Sequence, residues 1–251
     1  MINVILHGCC GHMGHVVADL IAADPALTIA AGIDAVPGDG LPFPVYTDKE
    51  KCTENADVVI DFSNARAVDS LLDFCVRRGL PLVLCTTGLT PEQLENVKEA
   101  SGKIAILRSA NMSLGINLIM KLAAEAAKTL YSAGFDIEIE EMHHRRKVDA
   151  PSGTALLLAD SIKNALEEDI PYVYDRSGRS MARPAAEIGI SSLRGGTVVG
   201  EHEVVFAGQD EVIRISHSAF SRSIFGKGAV SAAKFLAGKP AGLYTMSDVI
   251  G

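Results

Sequence analysis

The chain has 251 residues, enough for one large domain or two modest ones at roughly 150 residues per domain. Hydrophobic residues make up 48 % and charged residues 22 %, which excludes an intrinsically disordered chain. The formal net charge of −8 argues against nucleic acid or an anionic membrane as a partner. No apolar run in the sequence approaches the length of about 18 residues that a membrane-spanning helix needs. The five cysteines form no C-x-x-C pair. We therefore expect a cytoplasmic protein with reduced thiols.

Short apolar runs alternate with helix-like stretches through the first 112 residues. Helices are predicted at 16–23, at 65–78 with Ser63 as N-cap, and after Thr90 with Pro91 at the first helical position. Strands are predicted at 2–6, 27–33, 58–62, 80–85 and 104–107. This alternation indicates an α/β domain with a doubly wound parallel sheet.

The pattern changes after residue 113. A long amphipathic helix is predicted at 114–130, and the strand at 135–142 places Phe135, Ile137 and Ile139 on one face and acidic residues on the other. Residues 171–184 are polar and predict a loop. Further strands and a last helix are predicted at 187–193, 197–207, 211–218 and 228–237. The second half is therefore expected to be a smaller α+β domain with an antiparallel or mixed sheet.

A glycine-rich turn follows the first predicted strand and precedes the first predicted helix. Its sequence, G-C-C-G-H-M-G from Gly8 to Gly14, would let the backbone approach a pyrophosphate at a helix N-terminus. The spacing departs from G-x-G-x-x-G, so a plain strand–helix turn is the alternative. Asp34 ends the next strand, where a carboxylate holds the ribose hydroxyls of a dinucleotide, although it is also a common turn residue.

Two loops follow the fourth and fifth predicted strands at the same edge of the sheet. They are Cys85-Thr86-Thr87-Gly88 and Ser109-Ala110-Asn111-Met112. Open α/β sheets bind their ligands at the carboxyl ends of the strands. Together with the glycine turn and Asp34, these loops predict a dinucleotide site.

A basic run, H-H-R-R-K from His143 to Lys147, stands out in an acidic chain. One interpretation is a solvated loop that pairs with the acidic strand before it. The segment that follows, Pro151 to Thr154, favours a different one, because a helix start offers backbone N–H groups to an anion. His and Lys also transfer protons near neutral pH. The block therefore predicts a carboxylate receptor with acid–base residues.

Other chemistries lack their sequence motifs. Adjacent His143 and His144 point apart and have no third ligand at a suitable spacing, so no metal site is expected. The chain has neither the G-x-S-x-G elbow nor the G-x-x-x-x-G-K-[ST] loop. Cys9 and Cys10 lie at a helix start and are interpreted as filling the loop beside the cofactor rather than as redox groups.

These motifs resemble those of the 4-hydroxy-tetrahydrodipicolinate reductase (dihydrodipicolinate reductase) family of bacterial lysine and diaminopimelate synthesis. The resemblance covers nearly the whole chain and is strongest in H-H-R-x-K-V-D-A-P-S-G-T-A at 143–155. It implies a Rossmann-like domain at 1–112 closed by 223–251, and a domain at 113–222 that binds substrate and builds a homotetramer. The implied activity is NAD(P)H-dependent reduction of 4-hydroxy-tetrahydrodipicolinate to tetrahydrodipicolinate.

The resemblance also implies roles for individual residues. His143 matches the proton donor or acceptor and Lys147 the second proton donor, while His144, Gly153 and Thr154 match positions that hold the carboxylates of a small dicarboxylate substrate. Cys85 and Met112 depart from the family, which often has Gly and Phe there. The positions that match cofactor contacts are Gly8, Cys9, Cys10, Gly11, His12, Met13, Asp34, Cys85, Thr86, Thr87, Ser109, Ala110, Asn111 and Met112.

Cofactor choice is predicted from Asp34. No cation follows it until Lys49, so a 2′-phosphate would be repelled, and NADH is expected to be preferred with NADPH accepted more weakly. The turn at 194–196 and the segment at 201–203 are expected to be structural, at a subunit contact. Two alternatives are a different nicotinamide dehydrogenase with another small anionic substrate, and a non-catalytic NAD-sensing regulator. A regulator should carry a DNA-binding module, and no basic helix-turn-helix is apparent.

Overall fold

The computed structural model describes residues 1–38 and 40–251. The helices are α1 (His12–Ala22), α2 (Ala65–Arg78), α3 (Pro91–Ser101), α4 (Leu114–Leu130), α5 (Gly153–Leu166), α6 (Ser223–Leu236) and α7 (Met246–Ile250). The strands are β1 (Ile2–His7), β2 (Leu27–Ile33), β3 (Val45–Tyr46), β4 (Val58–Asp61), β5 (Leu82–Leu84), β6 (Ala105–Arg108), β7 (Asp136–His143), β8 (Tyr172–Val173), β9 (Ile188–Arg194), β10 (Gly200–Ala207), β11 (Val212–Ala219) and β12 (Gly242–Tyr244). None of the described helices combines the length and apolarity that crossing a bilayer requires.

The chain divides into two compact units. Unit 1 comprises Met1–Leu114 and Ser223–Gly251, and unit 2 comprises Gly115–Arg222. The sequence-based division had placed these boundaries after residues 112 and 222.

Unit 1 is built on a parallel sheet of seven strands in the order β12-β6-β5-β4-β1-β2-β3. Because side chains alternate along a strand, Val4 and Leu6 of β1 face one side of the sheet and Ile5 faces the other. Core residues of α1 and α6 cover the first side, and those of α2 and α3 cover the second. This confirms the predicted doubly wound parallel sheet.

Unit 2 contains a mixed sheet of five strands in the order β11-β10-β7-β9-β8. β10 runs antiparallel to β7 and β11, whereas β7, β9 and β8 are parallel to one another. On β7, Ile137 and Ile139 are buried in a core shared with α4 and α5, and Glu140 is exposed. The predicted smaller α+β domain with a mixed sheet is therefore confirmed.

Three local predictions at helix starts are wrong. α2 is capped by Asn64, whose side chain accepts a hydrogen bond from the Arg66 backbone, and not by Ser63. α1 begins at His12 rather than at residue 16, and α6 at Ser223 rather than at residue 228. Both helices contain glycine in their early turns, which weakens the sequence signal of a helix.

Residues 171–184 are more ordered than the predicted loop. They include the edge strand β8, and Arg176 and Arg183 both pair with Glu138 of β7. Arg176 also pairs with the buried Glu187, and Arg183 with Asp136. Asp136 and Glu138 of β7 are therefore neutralised by arginines of this segment and not by the basic run at 143–147.

Candidate functional site

Unit 1 carries the glycine turn between β1 and α1. Gly8 has φ +80°, and a Cβ there would lie 2.6 Å from the Phe62 carbonyl oxygen. At Gly14 a Cβ would lie 2.2 Å from the Gly8 carbonyl oxygen, so this close approach also requires glycine. Gly11 is the N-cap of α1 and offers no side-chain cap to the first turn, which begins with His12 and Met13. A helix start that has no side-chain cap and is preceded by glycines, which have no side chain, suits the pyrophosphate of a dinucleotide.

Asp34 follows β2 at the same edge of the sheet. Its Oδ2 accepts a hydrogen bond from the Cys10 backbone N–H at 2.9 Å, which ties the end of β2 to the glycine turn. Gly8, Cys10, Gly11 and Asp34 line a cleft of about 340 Å³. Cys9 lies beneath it with no exposed surface, and burial followed by the nearby Cys10 raises the pKa of its thiol to about 12. A neutral buried thiol agrees with a filling role rather than a nucleophilic one.

The two predicted strand-end loops follow β5 and β6. Thr86, next to Cys85 and Thr87, is buried, and its Oγ1 has no hydrogen-bond partner among the described residues. In the loop of Ser109, Ala110 and Asn111, the Asn111 side chain accepts from the Ser113 backbone at 2.8 Å. Met112 is 4 % exposed and belongs to the core of unit 1. Its side chain therefore packs in the core, which leaves only its backbone to contact a cofactor.

A buried pair in unit 1 was missed by the sequence analysis. His7 Nδ1 and Asp61 Oδ1 lie 2.6 Å apart at the carboxyl ends of β1 and β4. The same Asp61 oxygen accepts from the Ser63 backbone at 3.2 Å, which fixes the loop before α2. His7 and Ser63 line the cleft beside Asp34. The available signal was a histidine and an aspartate each ending an otherwise largely apolar strand.

Unit 2 carries the second site, at the end of β7. The face of β7 that buries Ile137 and Ile139 continues with Glu141 and His143, which are also buried. His143 Nδ1 lies 2.5 Å from Glu141 Oε2. Arg194, which is paired with His143 in the β7–β9 register, holds both Glu141 oxygens at 2.8 Å. A buried carboxylate thus anchors the imidazole on one side and a guanidinium on the other.

The start of α5 joins the same cluster. Ser152, its N-cap, donates its backbone N–H to Glu141 Oε1 at 3.2 Å and places Oγ 3.1 Å from His202 Nε2. The His202 ring meets the His143 ring edge to face at 5.1 Å between centroids. Three strands and one helix start of unit 2 therefore converge on a single buried group of polar side chains.

The surroundings set the charges of this cluster. Burial alone would raise the pKa of Glu141, but hydrogen bonds from Arg194, Ser192 and His143 outweigh it and lower that pKa to about 2. Burial lowers the pKa of His143 below its usual value, and Lys147 and Arg194 add to this against the opposing effect of Glu141. Burial and the nearby His143 lower the pKa of His202 to about 4. At neutral pH, Glu141 is charged and both imidazoles are neutral.

The remaining predicted residues lie on the chain segment after β7. His144 donates its backbone N–H to Val198 at 2.7 Å, and its ring Nδ1 is buried without a partner among the described residues. Lys147 Nζ lies 2.9 Å from Asp149 Oδ1. Gly153 and Thr154 form the first turn of α5, so the positive end of the helix lies at this segment.

Two residues of the cluster were assigned a purely structural role from sequence. Arg194 and His202 were expected at sheet turns and a subunit contact, whereas the structure places both in contact with the His143 cluster. The signal that identifies them is cross-strand pairing, which requires knowing that β7 lies between β9 and β10.

A glycine turn with Asp34 in a doubly wound unit, and a His–Glu–Arg cluster with a nearby lysine in an α+β unit, are the features of a dinucleotide-dependent oxidoreductase. Family models show which family of oxidoreductases the chain matches. Residues 2–112 match the model described as dihydrodipicolinate reductase, N-terminus, and residues 115–250 the model for its C-terminus. The chain belongs to the dihydrodipicolinate reductase family, and the resemblance inferred from sequence is confirmed.

Individual relatives agree over their full length. The 4-hydroxy-tetrahydrodipicolinate reductase of Caldanaerobacter subterraneus subsp. tengcongensis is 54 % identical, with 100 % of this chain and 98 % of that protein covered. The enzyme of the same name from Clostridium novyi is 48 % identical at the same coverage. A dipicolinate-bound dihydrodipicolinate reductase structure from Paenisporosarcina has a TM-score of 0.84 over 100 % of both chains, at 24 % identity, and supports the fold.

The low pKa of Glu141 predicts a pH-dependent stability. Its pKa is about 2 in the folded chain against an ordinary 4.5, so its stabilising contribution is complete above about pH 5. That contribution is lost as the pH falls towards 2. We expect the free energy of unfolding in urea to fall between about pH 5 and pH 3, and to fall less steeply in Glu141→Gln.

The exposed neighbour Glu140 provides the matched control. Glu140→Gln removes a carboxylate from the same strand on the opposite face and should keep the wild-type pH profile. An unchanged pH slope in Glu141→Gln would show that Glu141 is not held ionised by its partners.

Proposed function

We propose that this oxidoreductase catalyses the NAD(P)H-dependent reduction of 4-hydroxy-tetrahydrodipicolinate to tetrahydrodipicolinate in lysine and diaminopimelate synthesis. The observation that carries the proposal is the 54 % identity, over the full length of this chain, to the Caldanaerobacter reductase of that name. The reaction removes water from the hydroxylated ring and adds hydride to the resulting unsaturated cyclic imine. Each unit contributes residues that suit part of this chemistry.

The cofactor site would be built by unit 1. The turn at Gly8–Gly14 would receive the pyrophosphate at the start of α1, and Asp34 would accept hydrogen bonds from ribose hydroxyls. The strand-end loops at 85–87 and 109–112 would contact the rest of the dinucleotide. When bound, a reduced nicotinamide supplies the hydride.

The substrate carboxylates would be held by unit 2. His144, Gly153 and Thr154 lie where the basic segment meets the start of α5, and the positive end of that helix favours a carboxylate. Arg176 and Arg183 pair with Glu138 and Asp136 of β7, so these two carboxylates are neutralised without the lysine or arginines of the basic run. The cations of the basic run and the positive end of α5 therefore suit a small dicarboxylate.

Protons would be handled by His143 and Lys147. Since Glu141 is ionised, the hydrogen between them lies on His143 Nδ1, and Nε2 is the free position that accepts or donates a proton. The negative charges of a dicarboxylate would raise the pKa of His143 and favour its protonation in the complex. Lys147 Nζ lies 2.9 Å from Asp149 Oδ1 and would supply the second donor. One of these protons neutralises the carbanion-like centre that hydride addition leaves.

Substitution of these two residues tests the assignment. We expect His143→Ala and Lys147→Ala each to lower kcat by about 10²- to 10⁴-fold, the usual scale for a proton-transfer group. NADH affinity, measured by fluorescence titration, should stay near wild type because both residues belong to unit 2.

Arg146 is the matched control, because it is an exposed cation of the same run with no role in the proposed chemistry. Arg146→Ala should keep kcat within a few-fold of wild type. Wild-type turnover in His143→Ala and Lys147→Ala would refute their assignment as proton-transfer groups.

NADH is proposed as the preferred form of the cofactor. Among the described residues that line the cleft there is no Lys or Arg, and the Asp34 carboxylate lies at its edge. Two like charges about 4 Å apart repel by roughly 1 kcal/mol in water and about 4 kcal/mol at an effective dielectric of 20. A 2′-phosphate on the ribose would meet this repulsion.

The ratio of kcat/KM for NADH to that for NADPH measures this preference. We expect a several-fold to several-hundred-fold preference for NADH, since about 1.4 kcal/mol corresponds to tenfold. Asp34→Ala should shrink the ratio at fixed salt, whereas substitution of the cleft residue Val36 by Ala should preserve it. Equal or faster use of NADPH by the wild type would contradict the proposal.

A homotetramer is proposed to form through the sheet of unit 2. α4 and α5 pack on one face of that sheet, while the opposite face presents Met142 and Leu193, the latter 50 % exposed. Apolar side chains exposed on a sheet face are typical of a contact between copies of one chain.

A cytoplasmic location stays a prediction.

Sedimentation velocity tests the assembly. The wild type should sediment with the mass of four chains, and Leu193→Asp should shift it to smaller species by burying a charge in the contact. Leu94→Asp, at a comparably exposed leucine on α3 of unit 1, should leave the tetramer intact. A monomeric wild type, or a tetramer unaffected by Leu193→Asp, would contradict the proposed surface.

A further inference from the structure

Three potential metal ligands meet at the glycine turn of unit 1. The thiol sulfurs of Cys9 and Cys10 lie 3.9 Å apart, and one ligand atom from each cysteine and from Asp34 all fall within 4.8 Å of one another. Two thiolates bound to one tetrahedral zinc ion at about 2.3 Å each are separated by about 3.8 Å. The two sulfurs therefore already have the spacing of a shared metal ion.

The backbone holds these ligands in place. Cys10 donates its backbone N–H to Asp34 Oδ2 at 2.9 Å, which fixes the carboxylate against the turn. Cys9 Sγ packs on β2, where a Cβ on Gly32 would lie 2.6 Å from the sulfur. Cys10 and Asp34 line the open cleft, and Cys9 lies just beneath them. An ion can therefore enter from the cleft and reach the buried sulfur last.

We propose that Cys9, Cys10 and Asp34 form a binding site for a soft divalent cation such as Zn²⁺ or Cd²⁺. Thiolate ligands favour these ions over Mg²⁺ and Ca²⁺, which prefer oxygen ligands. Binding forms two metal–sulfur bonds and one metal–oxygen bond, and the two thiol protons pass to solvent. The fourth position of the tetrahedron faces the cleft and takes water.

An ion in this site excludes the cofactor. A metal ion bound to Asp34 would take an oxygen lone pair that otherwise accepts a hydrogen bond from a ribose hydroxyl, and the ion with its bound water would occupy part of the cleft. Soft cations thus act as inhibitors that compete with the dinucleotide. This consequence rests on the proposed cofactor site, whereas metal binding itself does not.

Cadmium titration of the full-length, reduced protein tests the site. Cadmium–thiolate bonds absorb in the ultraviolet, and we expect a band that saturates at one ion per chain. Cys10→Ser and Asp34→Asn should each weaken binding by about tenfold or more, since even indirect contacts to a metal are worth 10- to 100-fold in affinity. Cys9→Ser should do the same. Cys10 and Asp34 are only partly buried, so their variants remain informative if Cys9→Ser fails to fold.

Cys52 is the control, because it is a buried cysteine of the same unit on the other side of the sheet. Cys52→Ser should keep the cadmium band, its stoichiometry and the affinity. Wild-type cadmium affinity in Cys10→Ser, or loss of the band in Cys52→Ser, would overturn the proposal, as would displacement of cadmium by an equal concentration of Mg²⁺.

A second measurement separates the metal site from the cofactor site. Saturating cadmium should lower NADH affinity at least tenfold by fluorescence titration, and excess NADH should release the ion. If cadmium binds with the expected dependence on the three residues but leaves NADH affinity unchanged, the metal site stands. The cofactor placement at Asp34 is then wrong.

Discussion

The buried carboxylate of Glu141 is the interaction on which the cluster around His143 depends. It accepts hydrogen bonds from Arg194 on β9, from His143 on its own strand and from the Ser152 backbone at the start of α5. One anion therefore joins two strands to a helix start. Removing one partner of such a buried pair leaves an uncompensated charge and costs about 3–5 kcal/mol. The orientation of His143 is consequently set by contacts within the sheet and at the start of α5.

How much of this site the sequence could predict depends on how local each interaction is. The alternation along β7 identified the face that carries Ile137 and Ile139, and simple extension of that pattern places Glu141 and His143 on the same buried face. The burial of the polar residues Glu141 and His143 is therefore predictable from the sequence pattern. The contact of Arg194 is not, because it reaches Glu141 only through the parallel pairing of β7 with β9, more than 50 residues later.

Unit 1 shows the same distinction. The glycine turn and Asp34 are consecutive in the strand–helix–strand pattern, so a sequence argument finds both. The pair between His7 and Asp61 requires β4 to lie beside β1, and strand order in a doubly wound sheet does not follow from the order of the elements along the chain. Helix starts were misplaced where glycine serves close packing, as at Gly228 of α6, whose Cα lies against the Met112 backbone.

Each of the two units contains a buried carboxylate paired with a histidine. In each, a carboxylate near the end of a core strand lies within hydrogen-bond distance of histidine Nδ1. This contact leaves the other ring nitrogen, Nε2, for other partners. In unit 2 the carboxylate also binds Arg194, and this cation keeps Glu141 ionised while the imidazole stays neutral. In unit 1 the Asp61 oxygen instead accepts from the Ser63 backbone, so the pair positions the loop that lines the cleft beside Asp34. Arg194 is thus the contact that distinguishes the His143–Glu141 pair of unit 2 from the His7–Asp61 pair of unit 1.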